Sequence, residues 1–369
     1  MMCMRIGFQG DLNQKLTSWI KSTQMHPRRT LKRQGTKKHN DSSRLSLILS
    51  NHIFDGIRRS CRKVAGRATR VRIDDSRIPS YAASLPVDKV AKPQLDPNCH
   101  YLGRKEDTVN FLLTLDTINF GSGYFPHLRK RPGMSGYFTT ASALHDAYVA
   151  QGPLSARQLA KIPVEECIHM FDQDSDNKIA RELMQHFSVA LNDLGRFVLE
   201  RFNGSFTDLV NSVDSSAGRL VQLLKNMPYF NDVASYDGGE VLFYKRAQII
   251  AADLSLAFQG RTWGHFKDLD QMTIFADNLV PHVLRIDGIL IYEESLVDRI
   301  NKGTLIPAGS TEEVEIRACA VQAVELIKKQ MAKSKKMITS PALDNFLWNR
   351  GQQPEYKAKP RHRTRCVYY

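Results

Sequence analysis

Leu183-Met-Gln-His-Phe-Ser-Val-Ala-Leu-Asn-Asp-Leu-Gly-Arg-Phe-Val-Leu-Glu-Arg-Phe202 reads as a helix, because apolar side chains return at three- and four-residue steps. Phe206–Met227 reads as a second helix, ended by Pro228. Further out, Leu45, Leu47, Ile48 and Ile53 are followed by Ile57, Cys61, Val64 and Ala68 at the same spacing. Val109–Phe120 is apolar at Phe111, Leu112, Leu115, Ile118 and Phe120, and Gly121-Ser-Gly-Tyr-Phe-Pro126 after it must turn. Val241–Phe258 reads as a helix closed by Gly260, and Ser310-Thr-Glu-Glu313 as a capping box opening one through about Met331. Convincing strand alternation is rare and no internal repeat is visible. The fold class expected is mainly α.

Hydrophobic residues make up 42% of the 369, enough for a buried core. The longest apolar patches, Phe111–Leu115 and Ile249–Leu256, are broken by Thr114 and Asp253, far short of the roughly 18 residues a membrane span needs. Met1–Ile6 lacks the apolar stretch of a secretory signal, so a cytoplasmic protein is expected. The cysteines Cys3, Cys61, Cys99, Cys167, Cys319 and Cys366 are scattered, which suits a reducing compartment and no structural zinc.

Net charge is +14, and it is unevenly spread. Residues 1–72 hold 17 Lys/Arg against three acids, and the remainder holds 35 of each. A neutral body argues against a long nucleic-acid groove. Residues 1–42 are therefore set apart as a basic, disordered extension, and residues 43–369 as one domain. Organelle targeting by residues 1–40, RNA binding and a merely solvated tail all stay open.

Nucleophile elbow, P-loop, dinucleotide fingerprint and His-Glu-x-x-His are all missing. Asp172-Gln-Asp-Ser-Asp-Asn-Lys178 fails as a calcium loop, since Asn177 replaces the usual Gly and Leu183 stands where a bidentate carboxylate is needed. Capping of the next helix by Asp174 or Asp176 is expected instead. In Phe275-Ala-Asp277-Asn-Leu-Val-Pro281 an acid sits in apolar surroundings; it is either functional, a cap or half of a buried ion pair. Lys245 and Gln248 of Phe243-Tyr-Lys-Arg-Ala-Gln248 share a helix face and could grip a phosphate, or snorkel at the surface. Leu343-Asp-Asn-Phe-Leu-Trp-Asn349 suits either a lining for a flat heterocycle or a packed amphipathic helix. Glu313, Glu315, Arg317 and Glu325 read as internal ion pairs. Arg361-His-Arg-Thr-Arg-Cys-Val-Tyr-Tyr369, taken alone, could be an RNA-binding tail.

Together and in this order, these segments resemble the queuosine salvage protein family. The matching stretches are Leu115-Asp-Thr-Ile-Asn-Phe120 with Gly121-Ser-Gly-Tyr-Phe125, Asn203-Gly-Ser-Phe206, Phe243–Gln248, Phe275-Ala-Asp277 with Val280-Pro281, Glu313–Arg317, Leu347-Trp348 and His362–Tyr369. The resemblance covers roughly residues 43–369. It implies an all-helical domain similar to helix-hairpin-helix DNA glycosylases without their DNA-gripping hairpin. It also implies hydrolysis of the bond between queuine and ribose 5-phosphate, without cofactor or metal, by a monomer. Asp277 matches the catalytic carboxylate and Phe275 a base-contacting aromatic. Asp344, Asn345 and Asn349 match positions holding the queuine side arm, and Lys245 a phosphate-side lysine. Asn278 and Leu279 depart from the family's Tyr-Arg, Asn349 from a common Asp and Asn345 from a common Tyr. A family histidine aligns with Pro93, leaving His100 as its candidate replacement.

The chemistry suits these residues. Breaking an N-glycosidic bond builds positive charge on the sugar, and a carboxylate under the anomeric carbon stabilises it, attacks it or orients water. Two other readings are a non-catalytic queuine carrier, which would not need Asp277, and a nucleic-acid glycosylase or RNA-binding protein using the basic N-terminus.

Overall fold

The computed structural model describes residues 53–86 and 93–369. The basic extension, the boundary at residue 43 and Leu45, Leu47 and Ile48 lie outside them. The described chain runs through α1 (53–65), β1 (Val71–Ile73), α2 (Ile78–Ser84), α3 (Glu106–Thr117), α4 (Gly136–Gln151), α5 (Ala156–Leu159), α6 (Val164–Met170) and α7 (Lys178–Phe202). It continues through α8 (Phe206–Asn211), α9 (Ala217–Leu224), β2 (Val233–Tyr236), β3 (Gly239–Leu242), α10 (Lys245–Ala257) and α11 (Leu279–Ile286). β4 (Leu290–Tyr292), α12 (Glu294–Asn301), α13 (Thr311–Lys333), α14 (Ser340–Arg350) and α15 (Pro354–Lys357) complete it. The fold is mainly helical, but not all-helical. Two short antiparallel pairs are present, β1 with β4 and β2 with β3.

α7 starts earlier than its periodicity suggests. Asn177, not Asp174 or Asp176, is its cap, accepting from the N–H groups of Ile179 at 3.2 Å and Ala180 at 3.1 Å. Asp174 instead closes a turn by accepting from Asp176 N at 2.9 Å. α7 ends at Asn203, which adopts the left-handed conformation. Gly195 sits mid-helix, where glycine costs about 1 kcal/mol relative to alanine. The reason is its neighbour α5: a Cβ at Gly195 would overlap the backbone of Ala160 and lie 2.6 Å from the Ala156 oxygen. Gly195→Ala should therefore lower stability by about 1–3 kcal/mol, reversing the helix-propensity expectation. Thermal and urea unfolding of the two proteins test the sign.

The single helix expected over Phe206–Met227 is two. Asp214 and Ser215 take positive φ of 49° and 58°, and Ser216 then caps α9 by accepting from Arg219 N. Asp268 fixes this break, accepting from Ser216 Oγ at 2.8 Å, Ala217 N at 2.7 Å and Gly218 N at 3.1 Å. The helix expected from Val241 likewise begins only at Lys245, because Gly239–Leu242 pairs with Val233–Tyr236. Asp237 and Gly238 both have positive φ at the turn, as a two-residue hairpin demands.

α13 is the central element. Glu313 through Val321 are buried without a break, so this helix meets protein on every side. Its cap is Ser310, which accepts from Glu313 N, while the Glu313 side chain accepts from Gly309 N at 3.2 Å. Among the described residues Glu315 forms no ion pair. It accepts from the N–H groups of Thr69, Arg70 and Val71 and from the Tyr236 hydroxyl at 2.8 Å, tying β1 to the hairpin. Arg317 does form ion pairs, with Asp232 at 2.7 Å and Glu313 at 3.5 Å. Glu325 pairs with Lys328 at 3.1 Å and Arg58 at 3.3 Å.

The C-terminal segment is no free RNA-binding tail. His362, Thr364, Cys366 and Tyr369 are buried, and Tyr369 O accepts from Gly121 N at 3.0 Å. A Cβ at Gly123 would overlap the Thr364 carbonyl, so this loop needs glycine to admit the segment. No helix among the described residues is long and apolar enough to cross a membrane.

Candidate active site

The segment Thr273–Asp277 has no strand partner, yet its backbone is pinned by side chains from three helices. Gln248 Oε1 of α10 accepts from Thr273 N at 3.0 Å. Asp344 Oδ1 of α14 accepts from Phe275 N at 2.9 Å. Arg317 Nε of α13 donates to Ala276 O at 2.9 Å. Asp277 Oδ1 then accepts from Leu279 N at 2.8 Å and Val280 N at 3.1 Å, capping α11. Asp277 is therefore a cap as well as a candidate functional acid. Its Oδ2 is bonded to no donor among the described residues.

Asp277 lines a cavity of about 1440 Å³. The other residues singled out from sequence, Phe275, Asp344, Asn345, Asn349, Lys245 and His100, line the same cavity. Trp348 and Phe138 meet edge to face on its wall, with ring centroids 6.3 Å apart. The lining thus combines aromatic rings with acidic and basic side chains. The volume exceeds the roughly 300–1,000 Å³ usual for small-ligand pockets, which leaves room for an extended ligand.

Lys245 opens α10 and is buried. Burial pulls its pKa down, while Asp277 foremost, then Asp116 and Asp344, hold it up. Gln248 is fully buried behind it and bonded to Phe243 O and Thr273, so it serves the scaffold. Arg246 is likewise enclosed, donating to the carbonyls of Thr117, Tyr229 and Val367 between the rings of Phe120 and Phe230. The surface-snorkelling reading of this motif is thereby excluded.

Asp344 is buried, and its pKa is driven well above the usual carboxylate range by burial and then by the charge of Asp277. The Phe275 N–H and Lys245 only partly oppose this. Two carboxyls crowded together cannot both ionise cheaply, which favours the protonated form of Asp344. A cation placed beside it would act in the opposite direction.

His100 Nδ1 lies 2.8 Å from Asp96 O, and Nε2 lies 3.0 Å from Tyr137 Oη. A carbonyl only accepts, so Nδ1 carries the hydrogen and Tyr137 donates to Nε2. Burial keeps this ring neutral by lowering its pKa. Asn349 Nδ2 donates to Asn345 O at 2.9 Å and Oδ1 at 3.2 Å, at the exposed end of α14.

Two acids escaped the sequence reading. Asp253 lines the cavity, and Asp116 lies behind it with Oδ2 buried and unpartnered among the described residues. Burial pushes Asp116 up to about 7, while Asn119, Lys245 and Arg246 pull it back. Burial and the charge of Asp116 raise Asp253 well above its usual value. A signal for Asp253 did exist. Lys245, Ile249, Ala252, Asp253 and Leu256 follow helical spacing on one face, and Asp253 is the acid interrupting that apolar run. Among the described residues no group of three or more His, Cys, Asp or Glu could hold a metal ion.

A buried acid-and-lysine cluster on a cavity of this size has the character of a small-molecule site. The chain belongs to the queuosine salvage protein family, whose family model matches residues 99–369. A relative from Sphaerobacter thermophilus named queuosine 5′-phosphate N-glycosylase/hydrolase is 35% identical, covering 85% of this chain and 98% of its own. The Bos taurus protein of the same name is 34% identical, covering 86% of this chain and 100% of its own. The Schizosaccharomyces pombe protein, also so named, is 28% identical over 73% of this chain and 85% of its own.

Proposed function

We propose that this protein is an N-glycoside hydrolase that releases queuine from queuosine 5′-phosphate. The observation that carries this is Asp277: it stands in the cavity wall, with one carboxylate oxygen fixed by two backbone N–H groups and the other open, and the resemblance gives this position to a catalytic carboxylate. As the bond between C1′ and the base nitrogen stretches, positive charge grows on the ribose ring. Asp277 stabilises that charge. The bonding pair leaves with the base, water oxygen adds to C1′, and one water proton ends on the released base. The products are queuine and ribose 5-phosphate.

The other residues divide the substrate between them. Phe275 stacks on the base. Queuine carries a secondary amine, cationic at neutral pH, and a diol. Asp344 pairs as a carboxylate with the amine, and Asn345 and Asn349 hold the hydroxyls. Lys245 lies at the ribose-phosphate end, with its own charge supported by Asp277. His100, its tautomer fixed by Asp96 O, holds Tyr137 against the cavity. The helical body is similar to helix-hairpin-helix DNA glycosylases without the DNA-gripping hairpin. Its charge balance supports a free nucleotide over a polymer.

Purified protein incubated with queuosine 5′-phosphate should yield free queuine, detected by mass spectrometry. Tight binding without release would favour the carrier reading.

A further inference from the structure

Lys357, Lys359, Arg361 and Arg363 recur at every second residue along the end of the chain, and all four are exposed and line the cavity. Between them, His362 and the following Thr364 are buried. Over residues 361–364 that alternation is the two-residue period of extended backbone, which buries His362 and Thr364 and sends Arg361 and Arg363 onto the cavity wall. Partial burial lowers the Arg361 pKa, the charge of Asp277 supports it and that of Arg363 opposes it. Among the described residues none of the four cations forms an ion pair.

Lys245 is in the opposite situation. Asp277, Asp116 and Asp344 all act on it favourably, and it in turn opposes the raised pKa of Asp253. Lys245 is also enclosed by protein, whereas Arg361 and Arg363 are exposed on the cavity wall and open to a dianion arriving from solvent.

We propose that Arg361, supported by Arg363, seats the 5′-phosphate of the substrate at the cavity rim. The inference rests on the functional reading above. Asp277 lies under the anomeric carbon in that reading, and Arg361 is an exposed cation that lines the same cavity and feels the charge of Asp277, which places it on the side of the same sugar's 5′ position. A phosphate monoester carries a charge of about −2 at neutral pH, and a guanidinium fork matches its oxygens in pairs. Base and side arm then occupy the inner cavity, with the phosphate towards water.

The test compares wild type with Arg361→Gln, Arg361→Lys and, as a distant control, Arg219→Gln, whose side chain pairs with Asp214 on the surface. kcat/KM is measured for queuosine 5′-phosphate and for the nucleoside queuosine, and ribose 5-phosphate affinity is measured by calorimetry. Arg361→Gln should lower kcat/KM for the monophosphate by about tenfold or more and leave the nucleoside within about twofold. Its affinity for ribose 5-phosphate should fall by a similar factor, Arg361→Lys should recover part of the loss, and Arg219→Gln should change nothing. Equal losses on both substrates, or unchanged ribose 5-phosphate affinity, overturn the assignment. If wild type cleaves neither substrate, the functional reading fails, yet the titration still decides this one: ribose 5-phosphate binding that depends on Arg361 upholds a phosphate seat, and binding that is absent or indifferent to it removes the seat.

Discussion

Asp277→Asn should lose at least about a hundredfold in turnover of queuosine 5′-phosphate while keeping its fold and its hold on queuine. The substitution is chosen for the two jobs of this side chain. Asp277 Oδ1 accepts from Leu279 N and Val280 N at the start of α11. Asparagine keeps a carbonyl oxygen there and is as good a helix cap as aspartate, so stability should change by less than about 1 kcal/mol. What disappears is the negative charge. With it goes the interaction that opposes positive charge on the ribose, and the repulsion that adds to burial in raising the Asp344 pKa. Asp277→Ala would remove cap and charge together and could not separate them. The measurements are single-turnover rates and melting temperatures for both proteins, with queuine binding by calorimetry. Near-normal turnover in a folded Asn variant would end the assignment.

The helices were legible where periodicity was long and the surroundings simple. α7 and α13 show this: both carry sustained apolar spacing, and each is closed at its N-terminus by a side-chain cap, Asn177 and Ser310. Reading failed where two local signals competed. Residues 206–227 are apolar enough for one helix, but Asp214 and Ser215 turn the chain, and the acid that stabilises that turn, Asp268, is more than fifty positions away. Residues 241–244 look helical until Asp237-Gly238 is taken as a hairpin turn, a signal that was present and went unused.

The site was legible in another way. Nothing in the spacing of Lys245, Asp277 and Asp344 says they meet. Their meeting depends on Gln248, Asp344 and Arg317 pinning Thr273, Phe275 and Ala276, three contacts between distant parts of the chain. The ordered family motifs supplied that information, because they mark positions without explaining them. Asp116 illustrates the limit. It lies inside a quoted motif, Leu115–Phe120, yet only burial beside Asp253 and Lys245 makes it a candidate for function. The rim arginines show the converse. Composition suggested a loose basic tail, and the alternation of buried and exposed residues that contradicts it was already written in Arg361-His-Arg-Thr364.

Arg317→Ala should cost about 3–5 kcal/mol of folding stability, a large part of the roughly 5–15 kcal/mol typical of a domain. The guanidinium is buried, lies 3.9 Å from the Phe243 ring centroid and 4.7 Å from that of Tyr369, and holds Asp232 through two nitrogens at 2.9 and 2.7 Å. Its removal strands Asp232 and Glu313 as buried acids without their cation. The loss is therefore one of desolvated charge more than of attraction, since an intact buried pair is itself only a modest stabiliser. Asp232 also accepts from Lys245 N at 3.1 Å, and Arg317 Nε holds Ala276 O beside Asp277. Both flanks of the site thus hang on one ion pair. Arg317→Met separates the contributions: it keeps most of the packing against Phe243 and Tyr369 but strands the same acids. Asp232→Asn with Arg317→Met removes a stranded charge and should recover stability relative to Arg317→Met alone, without restoring the bond to Ala276. Urea unfolding gives the stability order, and turnover well below each variant's melting point gives the positioning effect. Recovery of stability together with full turnover in the double variant would show that the Arg317 bond to Ala276 does not position Asp277.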